Sequence, residues 1–339
     1  MNTAIKISIG LVVGFLLFFY WMRIIDIEQV FNHISHMDLN RLLPALLFYL
    51  LAYFIRSLRL YTLKPPAVLN SPSPLTIFKN YTYVLAGNMV NYIVPFRAGE
   101  LIKAYFYKKN HDIRWSASLP SIMVDKIFDM LAIFVVLILI PVTGVVFRSE
   151  IQYLLSIIVL IFIICIIMLI LATFREKFVI NLLSRLFFLL PKKHSEKLSD
   201  FIHNFVVGIS ICTHKQKVFL PCFIFTIFAV VTDSLFFYNM FAAFGVKLDF
   251  LLVLLGYTLI NLSYILPQPP AQIGSNEIIM LFVFTYGFSL DKNLMSSVMF
   301  TSHALTMIVI FITGYLSLLY GGFKLKDFMI HKEKNKDGQ

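Results

Sequence analysis

Asn91-Tyr92-Ile93-Val94-Pro95, followed by Arg97, Gly99 and Glu100, has a counterpart further along the chain. That counterpart is Ser263-Tyr264-Ile265-Leu266-Pro267, followed by Pro269, Pro270, Gly274, Asn276 and Glu277. Each is an apolar, helix-length run stopped by proline, then resumed through glycine to a carboxylate. Proline withholds an N–H and clashes with the preceding turn, so it kinks or breaks a helix. In hydrocarbon the freed backbone groups meet no water. Such breaks persist only where protein or a water-filled cavity satisfies them. Paired breaks in corresponding positions of two halves point to a transport site near mid-bilayer.

The chain around these breaks is built for lipid. Its 339 residues are 59% hydrophobic and only 14% charged, against about 25% charged in soluble domains. The mean hydropathy is +0.83. The formal net charge of +11 comes from Lys and Arg clustered beside apolar runs. Cytoplasmic orientation and anionic lipid account for that placement better than nucleic acid does. Cys165, Cys212 and Cys222 form no Cys-x-x-Cys pair, so neither a zinc site nor a disulfide framework is predicted. No P-loop and no Gly-x-Ser-x-Gly is present. No cofactor, metal or catalytic residue is therefore predicted.

A bilayer crossing takes about 20 apolar residues. Full spans are predicted near 4–22, 42–62, 120–141, 151–173, 218–242 and 294–320. The run from Ile5 to Met22 is followed by Trp21-Met22-Arg23 and no small-residue cleavage site, so it is read as an uncleaved first span. Two apolar regions, Ile77 to Tyr107 and Phe250 to Phe288, carry the breaks and are read as broken or re-entrant helical hairpins. The predicted fold class is an all-α integral membrane protein, a polytopic bundle of about six full spans plus two broken hairpins. One transmembrane domain covers 1–322, with a cytoplasmic amphipathic connector at 174–217 and a basic cytoplasmic tail at 323–339.

Lys and Arg concentrate at 175–217, in the tail, and at the ends near 56–64 and 103–114. The loops near 23–41, 142–150 and 243–250 are poor in them. The positive-inside rule then places both termini in the cytoplasm of a cell membrane. The span near 42–62, the first hairpin and the span near 120–141 form one set. The span near 218–242, the second hairpin and the span near 294–320 form another, entering from the opposite side. That arrangement is an inverted-topology repeat.

The stretch Asn88-Met89-Val90-Asn91-Tyr92-Ile93-Val94-Pro95-Phe96-Arg97-Ala98-Gly99-Glu100 resembles the transmembrane, flippase-like domain of lysylphosphatidylglycerol synthases and their stand-alone relatives. Val124-Asp125-Lys126-Ile127-Phe128-Asp129 resembles that family's Glu-Arg-x-x-Asp element. Pro267 to Glu277 resembles its second Pro…Gly…Glu element, and His303 and Gly314 fall on a final helix that often carries such residues. There are departures. Ala271-Gln272-Ile273-Gly274 stands where adjacent glycines are usual, and Asp125-Lys126 shortens the acid and removes a guanidinium fork. The sequence runs only about 20 residues past its last apolar run, so lysine transfer to lipid is not expected. What the resemblance implies is translocation of a phospholipid or a polyprenyl-phosphate-linked lipid with an anionic headgroup, without enzymatic activity.

Arg97 heads the candidate substrate contacts. A guanidinium at the break can hold a phosphate through two parallel hydrogen bonds, or can pair with Glu100 or Asp125 and lock the hairpin. Asn88, Asn91, Glu100, Asp125, Lys126, Asn276 and Glu277 complete the set, with Pro95, Gly99, Pro267 and Gly274 as the structural breaks. Gly99 is read as supplying backbone freedom. Glu100 is equally a dipole-compensating cap. Glu277 either takes up a proton, pairs with a base such as Lys126, or caps its half-helix. Asp125 and Asp129 share a helix face, which suits a structural ion pair. Asp233 needs a partner that the sequence does not name. Arg56 and Arg59 are expected to snorkel toward lipid phosphate. The rival reading is a non-transporting scaffold for a glycosyltransferase or lipid-modifying enzyme, docked through 175–217. A membrane-embedded transferase and a small-anion transporter are the others.

Overall fold

The computed structural model describes residues 3–65, 67–68, 71–94, 98–137, 156–157, 160, 163–164, 167, 216–264 and 268–323. These residues are helical throughout apart from turns. Helix α1 is Thr3–Ile24, α2 Ile27–Ser35, α3 Leu42–Thr62, α4 Ile77–Ile93, α5 Gly99–His111 and α6 Trp115–Leu137. After the residues outside the description come α7 Gln216–Ala243, α8 Phe250–Ser263, α9 Ser275–Met280 and α10 Lys292–Tyr320. Helix α9 continues as a wider π-helical stretch, Leu281–Gly287. Short polar residues start many of these helices by accepting an otherwise orphaned backbone N–H. Asp26 caps α2, Thr76 α4, Asp249 α8 and Asp291 α10.

Helices α3, α7 and α10 are each long and apolar enough to cross a bilayer. The start of the chain departs from the expected single span and loop. Helices α1 and α2 meet at 86°, and the segment near 23–41 holds α2 within it. Asp26 forms the corner, and the corner is pinned to the start of α10. The Asp26 N–H donates to Asn293 Oδ1 at 3.0 Å, Trp21 Nε1 to Ser296 Oγ at 3.1 Å and Asn293 Nδ2 to Gln29 Oε1 at 2.8 Å. Helix α6 starts earlier than expected and carries Asp125, Lys126 and Asp129 within it. Of the expected span at 151–173, six residues are described, and all are helical and exposed. Pro95, Phe96, Arg97, Pro267, nearly all of the connector and all of the tail after Phe323 lie outside the described residues.

Polarity is turned inside out, as lipid demands. Leu43, Leu47 and Leu316 are well exposed, whereas Arg59 is 1% and Asn80 0% exposed. Apolar side chains cost nothing against acyl chains, and charges survive in hydrocarbon only when paired inside the bundle. Helices α3 and α7 pack along one another at the centre. The first arm of the first hairpin, α4, packs on α10, and the first arm of the second, α8, packs on α6. Each hairpin's second arm, α5 or α9, then lies against the closing helix of its own set, α6 or α10.

Candidate functional site

A cavity of about 520 Å³ opens between the central helices and the two hairpins. Its walls carry an unusual share of charge and amide for a membrane interior, including Arg56, Lys126, Asp129, Asp233, Asn91 and Asn276. Tyrosines from α3, α4 and α8 line the rest, among them Tyr53, Tyr92 and Tyr257.

Ion pairs organise one side. Arg59 on α3 is buried and donates through Nε to Asp125 Oδ1 at 2.7 Å and through Nη2 to Asp129 Oδ1 at 2.6 Å. Its remaining nitrogen, Nη1, donates to Thr226 Oγ1 on α7 at 3.0 Å. The carboxylates sit at i and i+4 of α6, one turn apart on one face, so a single guanidinium spans both. Lys126 reaches Asp129 Oδ2 at 3.0 Å and Glu100 Oε1 at 3.4 Å. Glu100 also meets Lys103 at 2.6 Å and accepts from Asn91 Nδ2 at 3.0 Å. Asn91 Oδ1 in turn accepts the Gly99 N–H at 2.7 Å. One asparagine thus ties the end of α4 to the start of α5 across the break.

Opposite, Arg56 forms a two-pronged pair with Asp233 on α7, and Tyr257 on α8 donates to Asp233 Oδ2 at 2.7 Å. Arg56 keeps 20% of its side chain exposed, and Lys126 28%. Among the described residues, these two cavity-lining cations keep the most exposed side chains.

The second break is held by hydrogen bonds. Tyr264 donates to Asn276 Oδ1 at 2.9 Å, and Asn276 Nδ2 to Gln272 Oε1 at 3.0 Å. Beside them His303 on α10 contacts Glu277 Oε1 at 2.6 Å through Nδ1 and the Ala271 carbonyl at 2.8 Å through Nε2. The turn is forced: Ala271 and Gln272 take φ of 54° and 57°, and Gly274 of 78°. Helix α1 presses on its outer side, since a Cβ on Gly14 would stand 2.8 Å from Pro269 Cβ. Among the described residues no group of three or more His, Cys, Asp or Glu is arranged to hold a metal.

The sequence pattern of one protein family, the lysylphosphatidylglycerol synthase TM region, matches residues 5–314. This chain belongs to that family. No curated protein matches it, and no solved structure does. The match is to the membrane region of lysylphosphatidylglycerol synthases, with no transferase domain matched.

Within this member of the lysylphosphatidylglycerol synthase TM region family, the predicted residues divide into two layers. Asn88, Asn91, Lys126 and Asn276 line the cavity. Glu100, Asp125 and Glu277 stand one layer behind, holding the residues that do. Arg97 lies outside the described residues.

Four expectations need correction. Arg59 does not snorkel: it is swallowed by two carboxylates and a threonine, because three acceptors inside compensate a guanidinium better than a distant headgroup does. Arg56 likewise turns inward, and it is the partner that Asp233 lacked. Glu277 pairs with His303 and not with Lys126, which is already taken by Asp129 and Glu100. Gly99 has no left-handed backbone. Its smallness serves close approach instead, since a Cβ there would collide with the Gly87 carbonyl. The missed cavity residues, Arg56, Tyr257, Gln272 and His303, had one available signal: a polar side chain in mid-helix of an apolar run needs a partner of matching chemistry.

Proposed function

We propose that this protein moves a membrane lipid with an anionic headgroup, a phospholipid or a polyprenyl-phosphate-linked lipid, between leaflets. The observation that carries this reading is the charged cavity of about 520 Å³ walled by both broken hairpins. Ligand sites span roughly 300–1,000 Å³, so the volume suits a phosphate-bearing headgroup while its chains stay in the bilayer. Arg56 and Lys126 meet the phosphate by exchanging Asp233 and Asp129 for it, a swap of one charge-assisted bond for another. Arg97, next in sequence to the first break, is a further candidate phosphate contact. Asn88, Asn91 and Asn276 supply neutral contacts along the way.

The helix pairings support an inverted repeat. Exchanging α3–α6 for α7–α10 turns the α4–α10 packing into α8–α6, and leaves the central α3–α7 pair unchanged. Alternating access then takes the form of one repeat rocking against the other. The Lys and Arg distribution supports cytoplasmic termini.

Purified protein in unilamellar vesicles, with a fluorescent anionic phospholipid and a quencher confined to the outside, tests the reading. The protein should speed the loss of inner-leaflet fluorescence. Arg97→Ala should abolish that gain while the protein still inserts in the membrane. Transfer no faster than in protein-free vesicles would overturn the proposal.

A further inference from the structure

We infer that Glu277 and His303 form a proton-operated latch on the turn that walls the cavity. The inference starts from hydrogen counting. His303 Nε2 faces the Ala271 carbonyl, which only accepts, so Nε2 carries a hydrogen. Nδ1 lies 2.6 Å from Glu277 Oε1. Two lone pairs do not approach that closely, so a proton lies between them. The pair therefore holds one proton more than a neutral imidazole beside a carboxylate ion. Written as imidazolium with carboxylate or as imidazole with carboxylic acid, its net charge is zero.

Losing that proton to cavity water leaves one negative charge on the pair and sets a nitrogen lone pair against an oxygen lone pair. Among the described residues no cation pairs with Glu277 other than His303. Glu277 Oε2 is buried with no hydrogen-bond partner among the described residues. The other titratable groups facing the pair are Tyr92 on α4, whose ring lies edge-on to the imidazole with centroids 6.0 Å apart, and Tyr264 on α8, linked through Asn276. From α3 and α7 the cavity brings Arg56 and Asp233, which are committed to each other. Helix α9 contributes only Glu277 itself.

The imidazole must then swing away, and its other nitrogen holds the turn. Ala271 and Gln272 sit in left-handed backbone that L-residues occupy at a cost. Releasing the Ala271 carbonyl frees that turn to relax, and with it Gln272 and Asn276, which line the cavity. His303 lines the cavity too, so the buried pair stands directly behind its wall. Protonated, the wall is held; deprotonated, it is free. Resting on the transport reading, the proton is the coupling ion that drives the lipid.

Backbone hydrogen exchange of residues 268–276 in lipid nanodiscs, from roughly pH 5 to pH 9, reads the latch without any transport assay. Above about pH 6.5, where a freed imidazole no longer holds the proton, opening releases one proton and becomes about tenfold easier per pH unit, so protection of this segment should fall by that factor after correction for intrinsic exchange. The start of α5, 99–103, should show no such fall and serves as a control in the same wild-type sample. Glu277→Gln keeps every bond, its amide donating to Nδ1, but cannot lose the proton; its protection should be flat with pH. A flat wild type, or a Gln variant that follows the wild type, overturns the latch. Lipid transfer measured in parallel separates the two ideas. PH-dependent protection without lipid movement keeps the latch and sinks the transport reading; lipid movement with flat protection does the reverse.

Discussion

The two broken hairpins solve the same backbone problem with different chemistry. The first, α4 with α5, is tied by permanent charges: Glu100 is shared by Lys103, Lys126 and Asn91, and the network continues through Asp129 to Arg59. The second, α8 with α9, is tied by a neutral ladder from Tyr264 to Gln272 and by one histidine–glutamate contact. The first rests on Arg and Lys against carboxylates. The second rests on one proton shared between an imidazole and a carboxylate. On the latch proposed above, the first hairpin is a fixed abutment and the second the part that responds.

Removing the keystone of the fixed side should have the largest effect. Arg59→Met leaves Asp125 and Asp129 buried without their main counter-charge and should cost about 3–5 kcal/mol, measured by unfolding in detergent. Adding Asp125→Asn and Asp129→Asn should recover much of it. If Arg59→Met is harmless, the contrast between the hairpins is wrong.

Glycine contacts rank next. Gly99→Ala must push α5 off α4, and Gly274→Ala must hold a side chain at φ 78° against the Gly14 backbone. Overpacking of this kind should cost about 1–3 kcal/mol. The same measurement should show Gly274→Ala as the worse of the two, because it adds backbone strain to the collision. Equal costs would mean that the second turn relaxes as readily as the first.

Arg56 lies between the two sides. Arg56→Gln should slow lipid transfer about tenfold, the equivalent of 1.4 kcal/mol, with far less effect on folding than Arg59→Met. A variant as unstable as Arg59→Met would make Arg56 part of the abutment. The smallest effect is expected from Tyr264→Phe, which deletes one hydrogen bond of the neutral ladder, at about 0.5–1.5 kcal/mol. Its signature should be faster exchange confined to the second break.

Much of this was legible in the sequence. Proline and glycine punctuation located both hairpins, and hydropathy located α3, α7 and α10 to within a few residues. Asn91, Lys126 and Asn276, drawn from the sequence as candidate contacts, all line the cavity. Partnership was not legible. Arg56 and Asp233 are 177 positions apart, and Arg59 and Asp125 are 66 apart. Periodicity says which face of a helix is polar but not which helix it meets. Arg59 was misread for a physical reason: near the end of a span, a long basic chain has the reach to snorkel, and only the helix packing shows carboxylates closer than lipid. His303 was visible as a polar residue in an apolar run, yet only the folded turn sets a carbonyl and a carboxylate on its two nitrogens.

Among the described residues, Arg56, Arg59, Lys103 and Lys126 around the cavity are matched by Glu100, Asp125, Asp129 and Asp233, so this set of eight carries no net formal charge. On the transport reading, a membrane voltage then does little work on these eight groups and acts mainly on the headgroup being carried. At about 2.3 kcal/mol per elementary charge per 100 mV, an inside-negative cell would push a monoanionic headgroup outward.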